Sequence, residues 1–147
     1  MRRSLRASVL GSLILSGGCG AESPAGPEGP GKGPITRLAN GNALQLISIT
    51  PAKGTRLRAG EPVTVNVTLY YSLASFDFSD VELHLLNQGG LGLNEGVFVP
   101  VRRGSGTLTL TNTATVPPRG NDWITVACGM WPQGSGPVEL TVKYNVQ

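Results

Sequence analysis

Cys128, His84 and the acidic trio Asp77, Asp80 and Glu82 are the residues of this chain whose types could do chemistry. A thiol and an imidazole suggest nucleophilic catalysis, but a reactive cysteine needs a polar, cation-rich setting that lowers its pKa. Cys128 instead alternates with Ile124, Val126 and Met130, a spacing that predicts a buried thiol acting as a small hydrophobe. His84 is the one histidine of the chain. It shares strand parity with Glu82, opposite Val81, Leu83 and Leu85, which predicts a solvated ring. One histidine and one thiol fall short of the about three or four protein ligands of a zinc site. The serine of Gly104-Ser105-Gly106 lacks the Gly-x-Ser-x-Gly strand–turn–helix context of a nucleophile elbow and reads as a hairpin turn. Asp77, Asp80 and Glu82 are spaced to offer oxygens to calcium, but not in the pattern of an EF-hand loop, and Asp80 reads as a strand-start residue. The expectation is therefore no enzyme, no cofactor and no metal. An enzyme would require His84 to meet a serine or Cys128 in a pocket, against strand parity.

The elements that carry these residues are strands. Val63, Val65, Val67 and Leu69 alternate with Thr64, Asn66, Thr68 and Tyr70, and Val138, Leu140, Val142, Tyr144 and Val146 alternate with polar residues. Leu108 and Leu110 sit between threonines, whose β-branching favours extended backbone. Period-2 alternation with one polar face predicts an antiparallel sheet with one wet side. Seven strands are expected, near 44–50, 62–71, 80–87, 96–102, 106–116, 122–131 and 138–146. Gly- and Pro-bearing turns separate most of them, Arg103-Gly104-Ser105-Gly106 among these. Seven short strands at this spacing imply a two-sheet sandwich.

In Greek-key order, one end of such a sandwich collects Phe76, Phe78, Arg102, Arg103 and Trp131. Aromatics beside arginines are the composition of a protein-binding surface. The plainer alternative is that Phe76 and Phe78 cap the core. Trp123 and Trp131 share parity but lie roughly 26 Å apart along a strand, too far for one sugar-stacking platform. The other end collects Lys53, Arg56, Arg58 and Arg119, a basic rim that is either solvated or touches anionic envelope polymers.

The first residues have a different character. Arg2, Arg3 and Arg6 precede an apolar run, Ala7 to Leu15, which is far shorter than the roughly 20 residues that span a bilayer. Such a run reads as the apolar region of a secretory signal. It ends at Leu15-Ser16-Gly17-Gly18-Cys19, and this string resembles the lipobox of bacterial lipoproteins. The resemblance implies cleavage before Cys19 and acylation of that cysteine. Gly20, where the family's retention signal has Asp, implies the outer membrane of a Gram-negative host. The usual leucine position holds Ser16, and the alternative is an ordinary secretory signal cut after Gly18 or Ala21. The full chain has 12 basic and 9 acidic residues, hence +3. Loss of the three leading arginines leaves the two signs balanced, so the basic pI argues for no nucleic-acid partner.

Residues 20–34, GAESPAGPEGPGKGP, hold too little apolar surface to offset their ordering entropy. The organisation expected is a signal peptide over 1–18, a lipidated Cys19 with a Gly/Pro-rich linker over 19–43, and one domain over 44–147. From Cys19 to Leu44 a flexible tether spans roughly 28 Å.

The stretch from Ser48-Ile49-Thr50-Pro51 through Lys53-Gly54, Gly60 and Val63-Thr64-Val65 is similar to the opening of bacterial immunoglobulin-like and fibronectin type III-like surface domains. That resemblance implies a seven-stranded antiparallel immunoglobulin-like β-sandwich. The strand expected near 62–71 holds no cysteine to form an intersheet disulfide with Cys128, and Val126 stands where antibody domains have a corner tyrosine. The combined expectation is a membrane-tethered, non-catalytic module of a bacterial envelope, palmitoylated through Cys19, with a protein or glycan partner at its loops. The alternatives are a carbohydrate- or envelope-polymer-binding module, a subunit of a self-assembling surface structure, or a secreted soluble factor.

Overall fold

The computed structural model of the protein describes residues 35–37, 40–118, 120–134 and 136–147. The expected signal peptide, Cys19, most of the linker and Arg119 lie outside these residues. Six strands follow in chain order: β1 (Ile35–Arg37), β2 (Ala43–Thr50), β3 (Pro62–Leu86), β4 (Val97–Thr115), β5 (Trp123–Met130) and β6 (Val138–Asn145). All pair antiparallel, in the order β1-β2-β3-β5-β6, with β4 also on β3.

Alternation sets the faces. Val63, Val65, Val67 and Leu69 of β3 point into the core, as do Val138, Leu140, Val142 and Tyr144 of β6. Leu44, Leu83, Ile124 and Met130 are fully buried beside them. Full burial of each such side chain is worth about 1.5–3 kcal/mol, the main term holding the strands together. On the outer face of β3 and β4 the threonines pair across strands, with hydroxyl contacts of 2.9 Å for Thr64–Thr113 and 3.1 Å for Thr68–Thr109.

Six strands stand where seven were expected, because β3 and β4 each run through a bend and join two expected strands, while β1 is additional. Residues 72–79, Ser-Leu-Ala-Ser-Phe-Asp-Phe-Ser, contain neither Gly nor Pro and continue as strand. The register passes from Leu73↔Gly104 to Phe78↔Arg102, so residues 74–77 of β3 oppose Arg103 alone. Extra residues on one strand bend it and strengthen its twist. Gly104, at φ 123°, sits inside β4 at this point. The stretch Gly104-Ser105-Gly106 is thus a bend within a strand, not the expected hairpin turn. Its glycines looked like punctuation because a bulge and a turn need the same backbone freedom.

Asn42 holds the bend from below. It has no exposed surface. Its Oδ1 accepts the amides of Ala74 at 2.9 Å and Ser75 at 3.2 Å, and its Nδ2 donates to Ser75 Oγ at 2.8 Å. Amides that the bulge removes from the ladder are thereby satisfied. Asn42, like β1, lies within the stretch read as linker, so strand structure starts ahead of the expected boundary at 44.

The bend divides the sheet into two halves. In the first, the start of β3 lies between β2 and the end of β4. In the second, the end of β3 lies between the start of β4 and β5, with β6 beyond. The outer edge of β6 is closed at one end by Leu57 and Ala59. Leu57 N–H donates to Asn145 O at 2.9 Å, Gln147 N–H to Leu57 O at 2.8 Å, and Ala59 N–H to Gln147 O at 3.0 Å. At its other end Thr36 of β1 donates Oγ1–H to Glu139 O at 2.8 Å. The sheet therefore comes most of the way round to a barrel.

Candidate binding face

The outer face of the second half gathers the exposed aromatic residues. Phe78 of β3 is 64% exposed, Phe98 of β4 54%, and Trp131, just past β5, 45%. Period-2 alternation places Asp80, Glu82 and His84 on the same face as Phe78, because Val81, Leu83 and Leu85 point inward. The same rule turns Phe98, Pro100 and Arg102 outward on β4, and Ala127 and Gly129 on β5.

Of the five residues expected at one end, four are on or beside this face. Phe78 and Arg102 are direct register partners and, with Pro100 and Val101, line a depression of about 350 Å³. Arg103 turns to Asp77, with Nε 3.0 Å from Oδ1. Both side chains are well exposed, and such a surface pair contributes about 0–1 kcal/mol. Phe76 departs from the group. It is half-buried, packs on the core and reaches towards Gly134, so it caps the core.

Next to the aromatics lies a cleft of about 180 Å³ over the centre of β5. Its floor is small because β5 carries Ala127 and Gly129 here. Register puts Glu82 of β3 on one side of Gly129 and Glu139 of β6 on the other. The indole of Trp131 folds back over Gly129 and forms one end. His84 Nε2 shares a hydrogen bond of 3.0 Å with Glu82 Oε2. Its ring meets Phe98 edge-on, with centroids 5.4 Å apart and planes at 83°. His84 is therefore half-buried and partnered, not the solvated ring that parity suggested. Glu82 is held by it, its side chain 18% exposed.

The other candidates lie elsewhere. Cys128 points into the core beneath the cleft, and burial pushes its thiol up from 9.0 to about 12. A thiol so far from ionisation is a poor nucleophile at neutral pH. Asp77 and Glu82 are engaged separately, and no group of three metal-ligating side chains forms among the described residues. Trp123 sits under Lys143, whose Nζ is 5.0 Å from the ring centroid. Arg58 faces Glu61 at 3.6 Å on the far rim. No helix among the described residues is long and apolar enough to cross a membrane.

Phe98 and Glu139 escaped the reading of the sequence. Phe98 had a signal: it alternates with Val97, Val99 and Val101, an aromatic at an outward position. Glu139 had none, since its place in one row with Glu82 depends on the register of β5 against β3, which lie far apart in the chain. Compared with protein families and with curated proteins, the chain matches none.

Proposed function

We propose that this chain is a lipid-anchored, non-catalytic binding module of a bacterial envelope that presents the outer face of its second half-sheet to a partner. The observation carrying this is the convergence of Phe78, Phe98 and Trp131, all exposed, on one face. Exposed aromatics grouped on one surface favour a binding role, because isolated ones are ordinary and grouped ones are costly to leave in water. The anchor at Cys19 and the outer-membrane location rest on the lipobox resemblance. The immunoglobulin-like reading of the fold is supported by strand neighbours. Counting each half of β3 and β4 as a strand gives seven main strands beside the short β1, three in one half of the sheet and four in the other.

Rival readings have less support. Tyr70 and Tyr71 pair with Thr107 and Gly106 in the first half-sheet, not beside a tryptophan. Self-assembly through β2 or β6 meets edges already occupied by β1, Thr36 and Leu57.

Two measurements test the proposal. The intact mass of the membrane-extracted protein should show an acylated chain starting at Cys19, and Cys19→Ser should lose it. A photo-crosslinker placed at Phe98 should capture a neighbour in intact cells, while one at Thr109, on the opposite half-sheet, should not. An unmodified soluble chain would sink the anchor, and equal capture from both positions would sink the face.

A further inference from the structure

The cleft over Gly129 has a chemistry narrower than that of the face around it. Two carboxylates, Glu82 and Glu139, flank it, and an indole and an imidazole complete the wall. No lysine or arginine lines it. Elsewhere on this face Lys143 lies over Trp123 and Arg102 stands opposite Phe78 in register, and neither lines the cleft. Glu82 is tied to His84, whereas no hydrogen bond or ion pair holds the Glu139 carboxylate among the described residues. The site thus carries uncompensated negative charge beside an aromatic ring.

We propose that this cleft takes the cationic end of a lysine or arginine side chain from a protein partner. This inference rests on the reading of the surrounding face as the binding face. The cleft's volume suits one long side chain. A guanidinium or ammonium gains charge-assisted hydrogen bonds from Glu82 and Glu139. The Trp131 indole adds a cation–π contact and covers the aliphatic stem. Phe78, Phe98 and Pro100 lie outside the cleft on the same face, a surround of apolar contacts in which a buried arginine can dominate an interface. A sugar would use carboxylates and an aromatic too. It would gain nothing from the missing countercharge, which is the feature that decides between them.

The test is an NMR titration of the ¹⁵N-labelled full chain with acetylated, amidated Gly-Arg-Gly and Gly-Lys-Gly, against Gly-Gln-Gly and a methyl glycoside. The basic peptides are expected to move the Gly129 amide and the Trp131 indole N–H saturably, and the controls are not. Glu139→Gln should weaken the basic peptides by about tenfold. Glu95→Gln, outside the cleft, should bind like the parent chain. The inference falls if the basic peptides move neither resonance, if a control binds as well as they do, or if Glu139→Gln has no effect. Crosslinking from Phe98 with failure of the peptides would retain the face and remove the cation. Peptide binding without crosslinking would do the reverse.

Discussion

The indole of Trp131 lies back along its own chain over Gly129, so that a β-carbon there would stand 2.8 Å from Nε1. Gly129→Ala must therefore move the ring. The atom in the way belongs to the end of a side chain, and the ring can swing off. Alanine is also favoured over glycine within a strand by about 0.5–1 kcal/mol. The unfolding free energy should then change by less than about 1 kcal/mol, while Trp131 emission shifts to the red. A Trp123→Phe background isolates that signal, and unchanged emission would show that the ring does not rest on Gly129.

Asn42→Ala should cost about 1–3 kcal/mol, because it leaves the Ala74 and Ser75 amides without their acceptor at a bend. Urea unfolding measures the loss. Hydrogen exchange should quicken first at those two amides. If exchange there stays as slow as in the parent, Asn42 does not hold the bend.

Asn112 and its neighbour Thr111 make a paired prediction. Asn112 is buried, donating Nδ2 to Leu83 O at 3.3 Å and Glu95 O at 3.4 Å and accepting from Asn94. Thr111 is exposed and bonds Asn66 Oδ1 at 2.7 Å. Asn112→Ala should lose about 1–3 kcal/mol, and Thr111→Ala no more than about 0.5 kcal/mol. Equal losses in thermal melts would contradict this inside–outside assignment.

Alkaline pH should destabilise the fold through Cys128. Its folded pKa is raised to about 12 from 9.0. The unfolded thiol therefore ionises first. The stability from keeping it neutral is complete below about pH 9 and is lost as pH rises through 12, on the order of 4 kcal/mol in all. Tyr144, also raised by burial, acts in the same direction at higher pH than an ordinary tyrosine. Cys128→Ala should flatten the pH dependence of unfolding between pH 9 and 12. A slope identical to the parent's would exclude the thiol as its source.

How far the sequence carries can be judged from individual residues. Strict alternation in β6 made its inward set readable, and the same parity put Glu82 and His84 outside and Cys128 inside. Asn42 was hidden because Leu38-Ala39-Asn40-Gly41-Asn42 has the composition of a linker, and its burial exists only once β3 bends over it. Asn112 offered a signal that passed unread: an amide at an inward position between Leu110 and Ala114. The cleft was illegible for a different reason. Periodicity gives a residue's face, whereas the row Glu82–Gly129–Glu139 needs the register of β3 against β5, strands far apart in the chain.

The union of β3 and β4 also bears on how the chain folds. They form one hairpin closed by the loop 87–96, beginning where Leu83 meets Val97 and ending where Pro62 meets Thr115. Closing the first rung orders only a short loop, and each later pair adds a small further entropy cost. Zippering from that loop would build the β3–β4 pair at one edge of the four-stranded half first and, past the shifted register at the bend, continue into the other half. Both halves then inherit their alignment from a local event, and the slow steps left are the distant ones: β5 onto β3, and Leu57 onto the edge beside Asn145.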